Sequence, residues 1–317
     1  MTLARGLALY VAALKARGFS PRTGETYAQT LVHFGHWLES EALCDMADVD
    51  AEVVHRYQAY LVHRTSRRGR PLALSTQHQA LVAVKGFFSF LVHRGHLLVN
   101  PAHTLILPRR PRREVPVNLP TVREIERLFE AVDTQRATGV RNRAVLEVLY
   151  STGLRIGELK ALGIGDVDLV EGTLTVVRGK GGAGRLVPLG REACRWVSTY
   201  LAHVRPQWAR GRSTDRLFVT WWGKPLCGRT LLEWLRTLVT TIGMKKRVTL
   251  HTLRHACASH MLARGADVRA LQLLLGHRQL STTAIYTHVN LSQLKRVHRK
   301  CHPRAGSPRD LSRRRRR

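Results

Sequence analysis

The chain has 317 residues, of which 44% are apolar, so it can form two domains with cores of their own and is not globally disordered. Its five cysteines are widely spaced and include no Cys-x-x-Cys pair, which argues against a disulfide framework or a cysteine-rich zinc site. Lysine and arginine total 52 against 22 acidic residues, and the formal net charge of +30 predicts a polyanionic partner such as a nucleic acid.

Apolar residues recur every three to four positions through the first 107 residues, which predicts an all-helical domain. Ser20 can cap the second helix, and Pro21 suits its first position because a helix start needs no proline N–H. Asn100-Pro101 breaks the last helical pattern. The first predicted helix covers residues 3–17, and the second starts at the Ser20 cap. The third covers about 51–64, and the fourth runs from its cap, Ser75, towards Asn100.

Basic side chains lie on the polar faces of these helices and in the loop 65–71. Each one alone is more often a solvated surface residue. Together with the total charge, however, they favour contacts with a DNA backbone. The candidates for such contacts are Arg22, Arg56, Arg67, Arg68 and Lys85.

Residues 108–120 contain four prolines and four arginines and have no amphipathic period. Proline stiffens such a segment into an extended form. We therefore predict a basic linker between two domains, in which Arg109 and Arg110 are further candidates for DNA contacts. A basic, extended strap suits a protein that closes around a duplex.

The second domain is predicted over residues 121–303 and combines helices with a small β-hairpin. Thr121, with Glu124 three positions on, matches a capping box. A Leu- and Val-rich stretch predicts a buried helix, and two alternating β-branched stretches predict the hairpin. The buried helix is expected at 140–151, the strands at 173–177 and 185–189, and further helices at 191–203, 229–242, 249–264 and 267–275.

Two further segments are less regular. Trp221 and Trp222 lie in a predicted loop or turn, where packing is favoured over base stacking. Residues 304–317 are composed largely of Gly, Pro, Ser and Arg and end in five arginines. They predict a disordered basic tail that adds non-specific DNA affinity.

Several residues with chemical potential follow one another in a demanding order. Arg155 comes after a Thr-Gly-Leu turn at a helix start, where a guanidinium and unpaired amides can bind an anion. Lys180 lies among glycines at the hairpin tip, where the backbone can approach a ligand closely. His251 and Arg254 share one helix face, and His277 and Tyr286 follow them. Each residue alone is usually structural, but their combination indicates a phosphodiester site with a tyrosine nucleophile.

In this combination the sequence resembles the tyrosine recombinases, also called the phage integrase family, and is most similar to Xer-type and short transposon-borne members. The resemblance implies a mainly α fold with a small hairpin or sheet. It comprises an all-helical core-binding domain at 1–107 and a mixed α/β catalytic domain at 121–303. The matching stretches are Asn100–Ala102, Thr152–Leu159, Gly179–Gly181, His251–His255, Leu274–His277 and Ser281–His288.

The resemblance implies site-specific DNA recombination, as in integration, excision, resolution or transposition. Tyr286 would attack the scissile phosphorus and form a 3′-phosphotyrosine, which conserves the bond energy so that religation needs no ATP. Arg155 and Arg254 would clamp the non-bridging oxygens. Lys180 would protonate the leaving 5′-oxygen as general acid.

The remaining roles implied by the resemblance are supporting ones. His251 would assist proton transfer at the nucleophile, and His277 would hydrogen-bond a phosphate oxygen. Glu158 would orient the arginines or the second helix, and His255, which adjoins Arg254, would be a packing group behind the site. No metal or cofactor is implied. The partners would be double-stranded DNA, further copies of the chain in a synaptic tetramer, and a sister recombinase as an additional candidate. A C-terminal helix that docks on a neighbouring protomer is expected at residues 291–299.

Three alternatives stay open from the residues themselves. The chain could recognise a DNA site without cutting it, or it could relax DNA like a type IB topoisomerase. It could also bind zinc, because His251 and His255 lie four positions apart with further ligand types nearby. Against zinc, no glutamate base lies between these histidines, and Arg254 would repel the metal.

The expected location follows from two missing signals. No apolar run reaches the ~18 residues that a membrane span needs, and no basic-then-apolar leader opens the sequence. We therefore expect a cytoplasmic protein, associated with the bacterial nucleoid, that has no membrane partner.

Overall fold

A computed structural model describes residues 1–43, 45–66, 69–109, 118–178, 182–276 and 288–306, with backbone only at 177–178, 182–183 and 288–290. The chain divides into two compact units, Met1–Val115 and Pro116–Arg317. The division falls inside the predicted linker, of which residues 110–117 lie outside the described ranges.

The described part of the first unit is helical. Ser20 caps the second helix by accepting a hydrogen bond from the Thr23 amide at 3.1 Å, as the sequence predicts. The fourth helix starts two residues earlier than predicted, because Ala73 rather than Ser75 is at the cap position: the Ala73 carbonyl accepts the first helical hydrogen bonds and Ser75 lies inside the helix. The helices are α1 (Leu3–Ala16), α2 (Pro21–Ser40), α3 (Ala51–His63) and α4 (Leu74–His93).

Aromatic side chains fill the core of the first unit. Phe34 of α2 lies edge-on to Tyr57 of α3, with ring centroids 4.7 Å apart, and it also packs against Phe88 of α4. All three side chains are buried. Edge-to-face pairs of this kind add stability beyond the burial of apolar area.

The described part of the second unit surrounds α6, a helix buried on nearly every side. It packs against α8 and α11, which explains why its sequence is rich in Leu and Val. The capping box predicted at Thr121 and Glu124 is present. The helices are α5 (Val122–Glu130), α6 (Ala137–Thr152), α7 (Ile156–Ala161), α8 (Arg191–His203), α9 (Arg205–Trp208), α10 (Gly228–Thr241), α11 (Leu250–Ala263), α12 (Val268–Leu275) and α13 (His288–Cys301).

A small antiparallel sheet lies between α7 and α8 in the chain. Among the described residues it has the order β1-β2-β3, with β1 at Val167–Asp168, β2 at Thr173–Arg178 and β3 at Gly182–Pro188. Leu174 of β2 pairs with Val187 of β3. The hairpin was predicted, whereas β1 was not, because two residues carry no period.

The C-terminal helix α13 packs on its own chain, against β3, α11 and α12. The segment after it continues into the core. Arg304, predicted to begin a disordered tail, is buried and donates to the Glu147 carboxylate of α6 at 2.6 and 2.8 Å. That boundary was wrong, because a buried carboxylate on α6 holds the arginine; residues 307–317 lie outside the described ranges.

Two buried histidines attach this C-terminal segment to the end of α6. A ring nitrogen of His298 lies 2.8 Å from the Ser151 carbonyl oxygen, and one of His302 lies 3.0 Å from the Tyr150 carbonyl oxygen. The other ring nitrogen of His302 accepts from the Arg304 amide at 3.1 Å. A ring that donates on one side and accepts on the other is neutral.

In the described part of the chain, no helix is long and apolar enough to cross a membrane.

Acid should therefore loosen the second unit. Burial lowers the pKa of His298 from 6.5 to about 4 and that of His302 well below its usual range. Below pH 6.5 the unfolded chain binds protons that the folded chain cannot bind. The free energy of unfolding should thus fall by roughly 1.4 kcal/mol per pH unit for each histidine as the pH drops from about 6.5 towards 4.

Urea unfolding between pH 8 and pH 5 measures this slope. His302→Gln can still donate to the Tyr150 carbonyl but does not titrate, so it should reduce the slope. His203→Gln, at an exposed position of α8, is the matched control and should leave the slope as it is. A stability that is flat from pH 8 to 5 would contradict the prediction.

Candidate active site

The turn between α6 and α7 sets the position of Arg155. Gly153 ends α6 in the left-handed conformation, with φ of 62°, which glycine adopts without strain. Arg155 then occupies the N-cap position of α7, at the helix start that the sequence predicts, and its side chain is 47% exposed. An exposed guanidinium at this turn is accessible to an anion.

Glu158 lies one turn into α7 and binds Arg155 twice. Its carboxylate accepts from the Arg155 amide at 2.9 Å and from the Arg155 guanidinium at 3.1 Å. Burial alone would raise the pKa of Glu158, but hydrogen bonds from Arg185 and from the Arg155 amide outweigh it and lower the pKa to about 2. The carboxylate is therefore ionised at neutral pH and holds the Arg155 amide and guanidinium by hydrogen bonds.

Arg185 of β3 is a part of this arrangement that sequence reasoning missed. Its side chain is only 1% exposed, and both ends of its guanidinium donate to Glu158 at 2.9 Å. Its Nε also donates to the Leu274 carbonyl at 3.3 Å. An arginine in a short strand ordinarily faces solvent, so the sequence signal for burial was weak.

Arg254 of α11 meets the same turn from the other side. It is buried and donates to the Gly153 carbonyl and to the Leu275 carbonyl, the latter at 2.7 Å. Burial and the nearby charge of Arg155 lower the pKa of Arg254 to about 10. It therefore stays protonated at neutral pH. The structure thus brings together two arginines that are 99 positions apart in the sequence.

His251 and His255 lie on the same helix as Arg254. His251 is exposed in the first turn, and His255 is half-buried. Their ring centroids are 4.6 Å apart at nearly a right angle. His251 and Arg254, three residues apart, share a helix face as predicted. Among the described residues no group of three potential metal-ligating side chains comes together; His277 lies outside the described residues.

Gly276 ends α12 and leads directly to His277. Its φ is 65°, and a Cβ placed there would lie 3.0 Å from the guanidinium of Arg185. The backbone therefore passes against the face of that guanidinium. Glycine provides both the left-handed conformation and the space.

Three predicted site residues, Lys180, His277 and Tyr286, lie outside the described ranges, so the structure reports only where the chain enters and leaves them. β2 ends at Arg178 and β3 begins at Gly182, so Lys180 lies between the two strands in the sequence. The segment that contains His277 and Tyr286 runs from Gly276 to α13.

The candidate DNA-contact residues have different surroundings. Arg22 and Arg109 are exposed. Arg56 is paired with Glu41 at 3.0 Å, and Lys85 donates to the Leu105 carbonyl at 3.1 Å, so both have partners within the first unit. The remaining candidates, which lie outside the described residues, are Arg67, Arg68 and Arg110.

Both tryptophans are exposed, so the interpretation that packing buries their rings is wrong. Trp221 and Trp222 are 57% and 55% exposed, and their ring centroids lie 3.5 Å apart. They occupy the tip of a turn closed by the Val219–Pro225 bridge. A tip of this shape has no core to fill, so the rings pack on each other.

Chemically, the described arrangement of side chains can bind an anion. Arg155 and Arg254 present two positive charges at one turn, and the hydrogen bonds described for Arg254 go to backbone carbonyls rather than to a carboxylate. Preorganised cations of this kind stabilise charge that develops on phosphoryl oxygens.

Two family models match this chain. The phage integrase family model matches residues 120–293, and the phage integrase N-terminal SAM-like domain matches residues 7–95. The chain belongs to the phage integrase family.

Curated relatives of this integrase-family chain agree over most of its length. It is 38% identical over 303 residues to tyrosine recombinase XerC 2 of Ralstonia nicotianae, which covers 96% of this chain and 87% of the relative. It is 35% identical to tyrosine recombinase XerD of Pseudomonas putida, over 91% of this chain and 93% of the relative. The chain is therefore a tyrosine recombinase, an enzyme of site-specific DNA recombination.

Solved structures share the fold. XerH recombinase bound to its difH substrate is 20% identical, with a TM-score of 0.64 over 96% of this chain and 82% of that one. A lambda integrase dimer bound to a COC′ core site is 18% identical, with a TM-score of 0.64 over 88% and 96%. The predicted fold class, a helical N-terminal domain plus a catalytic domain with a small sheet, is confirmed.

Replacement of Gly276 tests the contact with Arg185. Gly276→Ala should lower the free energy of unfolding by about 1 kcal/mol because of the positive φ, and further because its Cβ meets the buried guanidinium. Gly265→Ala is the matched control, since Gly265 has φ of 80° but open space around its Cβ position.

Thermal or urea unfolding of both variants measures the difference. Gly276→Ala should be clearly the less stable of the two, and it should also slow DNA cleavage. Equal losses of stability would mean that the guanidinium moves aside without cost.

Proposed function

We propose that this recombinase cuts and rejoins DNA strands through a 3′-phosphotyrosine at Tyr286, with Arg155 and Arg254 clamping the scissile phosphate. The observation that carries the proposal is the convergence of these two arginines on the Gly153 turn. Two full charges are held there while no carboxylate hydrogen-bonds to Arg254 among the described residues. A phosphodiester supplies the negative charge that such a pair requires.

The choice of nucleophile is supported by the other tyrosines. The chain has seven tyrosines. In the described part of the second unit, Tyr150 and Tyr200 are fully buried, and burial raises the pKa of each. A buried, neutral phenol cannot reach a DNA phosphate. Of the tyrosines in the second unit, Tyr286 is therefore the candidate for the nucleophile.

The proposed reaction balances without a cofactor. The Tyr286 oxygen attacks the phosphorus while its proton passes to His251, and the bond from phosphorus to the 5′-oxygen breaks. Lys180 gives a proton to that 5′-oxygen, and His277 hydrogen-bonds a phosphate oxygen. The reverse steps, with the 5′-hydroxyl of another strand as nucleophile, release the tyrosine and complete strand exchange.

The macromolecular partners are duplex DNA and further copies of the chain. XerH has been solved with its difH substrate, and lambda integrase has been solved as a tetramer on a Holliday junction. We infer the same kind of assembly here. The net charge of +30 supports strong attraction to the phosphate backbone. The arginines of residues 307–317 and the exposed Arg22 and Arg109 would add to it, and the enzyme would act on the nucleoid within the cytoplasm.

A covalent adduct is the decisive product. When cells that express the chain are denatured quickly, capture of the protein should recover DNA joined by its 3′-phosphate to Tyr286 and ending at one sequence. Tyr286→Phe should abolish the adduct, because it lacks the attacking oxygen. The recovered sequence then provides the substrate for assays in vitro.

Tyr60→Phe is the control, because Tyr60 is a partly exposed tyrosine of the first unit; it should form adduct normally. An adduct that persists in Tyr286→Phe would refute the assignment of the nucleophile. Relaxation of a supercoiled plasmid that lacks the recovered sequence would instead favour a topoisomerase.

Cleavage should not depend on metal or ATP. With excess EDTA and no nucleotide, adduct formation on the recovered site should proceed at its normal rate, since arginine and lysine provide the charge and the proton. A loss of cleavage in EDTA that zinc restores would support the metal alternative and argue against this mechanism.

A further inference from the structure

Arg185 is held in one orientation by hydrogen bonds along its guanidinium. Its Nη1 and Nη2 each donate to one oxygen of Glu158 at 2.9 Å. Its Nε donates to the Leu274 carbonyl at 3.3 Å. A planar guanidinium bound on two edges cannot rotate without losing several bonds at once. The side chain is 1% exposed, so it does not itself meet DNA in this arrangement.

Glu158 is shared between this buried arginine and an exposed one. The same two oxygens accept from the Arg155 guanidinium and amide. With Glu158 as its only neighbour, Arg155 would form a neutral pair and would be attracted to the carboxylate rather than to a phosphate. Arg185 adds a second positive charge, so the two arginines and one glutamate together keep one net positive charge.

We propose that Arg185 is a positioning residue for phosphoryl transfer: it balances the charge of Glu158 so that Arg155 can present its guanidinium to the scissile phosphate. The inference rests on the proposed function, because it concerns the same phosphate. Arg185 acts through Arg155 and does not touch the reacting atoms.

The same guanidinium also fixes backbone next to two other site residues. Arg185 lies five positions after Lys180 in the strand that leaves the hairpin tip. Its contacts with Leu274 and with the Gly276 backbone lie just before His277. One buried side chain therefore connects β3, α7 and the end of α12, the three elements adjacent to Lys180, Arg155 and His277.

The test compares single-turnover cleavage by full-length variants on the DNA site recovered with the wild-type protein. Arg185→Gln should slow cleavage on the order of 10²-fold, the effect of a modest misplacement of a catalytic group, while DNA binding stays close to that of wild type. Arg185→Lys keeps the positive charge but not the forked guanidinium, so its cleavage rate should lie between those of wild type and Arg185→Gln.

Arg143→Gln provides the matched structural control. Arg143 forms a buried ion pair with Glu147 in the same unit, at 3.0 Å, away from the Gly153 turn. The two Gln variants should lose comparable thermal stability, but Arg143→Gln should cleave at the wild-type rate at a temperature where it is folded. If Arg185→Gln does not fold, the comparison of Arg185→Lys with wild type and with Arg143→Gln carries the test.

A neutral substrate separates positioning from general damage. A methylphosphonate at the scissile position lacks the negative charge that Arg155 neutralises. The defect of Arg185→Gln, relative to wild type, should therefore shrink about tenfold or more on this substrate, and Arg155→Ala should show the same pattern. Structural damage alone would slow both substrates equally.

The outcomes are distinct. Absence of an adduct with the wild-type protein would overturn the proposed function itself. An adduct with wild type, together with normal cleavage by Arg185→Gln, would overturn only the present inference. Equal defects on the charged and neutral substrates, or equal rates for the Lys and Gln variants, would also overturn it, because the charge of Arg185 would then be irrelevant.

Discussion

The ion pair between Arg185 and Glu158 is the interaction on which the candidate site depends. The arginine is buried and the glutamate half-buried, the pair is bidentate, and the carboxylate is shared with an exposed arginine. Burying two charges is costly unless their geometry is good and their remaining hydrogen bonds are satisfied. Here the cost is offset because the carboxylate also caps α7. The pair thus serves folding and arranges an anion site with the same atoms.

Around this pair, α6 provides the frame. Its C-terminal end supplies the Gly153 carbonyl to Arg254, and two carbonyls of its last turn meet His298 and His302 from the C-terminal segment. The end of one buried helix therefore fixes both the arginine turn and the docking of α13. Because the segment that contains Tyr286 connects α12 to α13, its two ends are attached to this same frame.

The sequence was sufficient for the elements with strong local signals and insufficient for buried charge. Capping residues and apolar periods placed most helices within a few residues, and the order of motifs singled out Arg155 and Arg254, which the structure brings to one turn. Arg185, Arg304 and the two C-terminal histidines were missed, because polar residues are usually exposed and only their partners, which are distant in sequence, make burial favourable. The exposed Trp221 and Trp222 show the reverse error, since large aromatic side chains normally pack inside.

The carbonyl partners of Arg254 have one more consequence. Its hydrogen bonds go to Gly153 and Leu275, and burial together with the nearby charge of Arg155 lowers its pKa, so the free enzyme holds two cations that repel each other. An anion that binds there removes this repulsion, so substrate and native fold stabilise one another through mass action. In the proposed mechanism the DNA phosphate is the counterion that completes the electrostatics of the protein, as well as the group on which it acts.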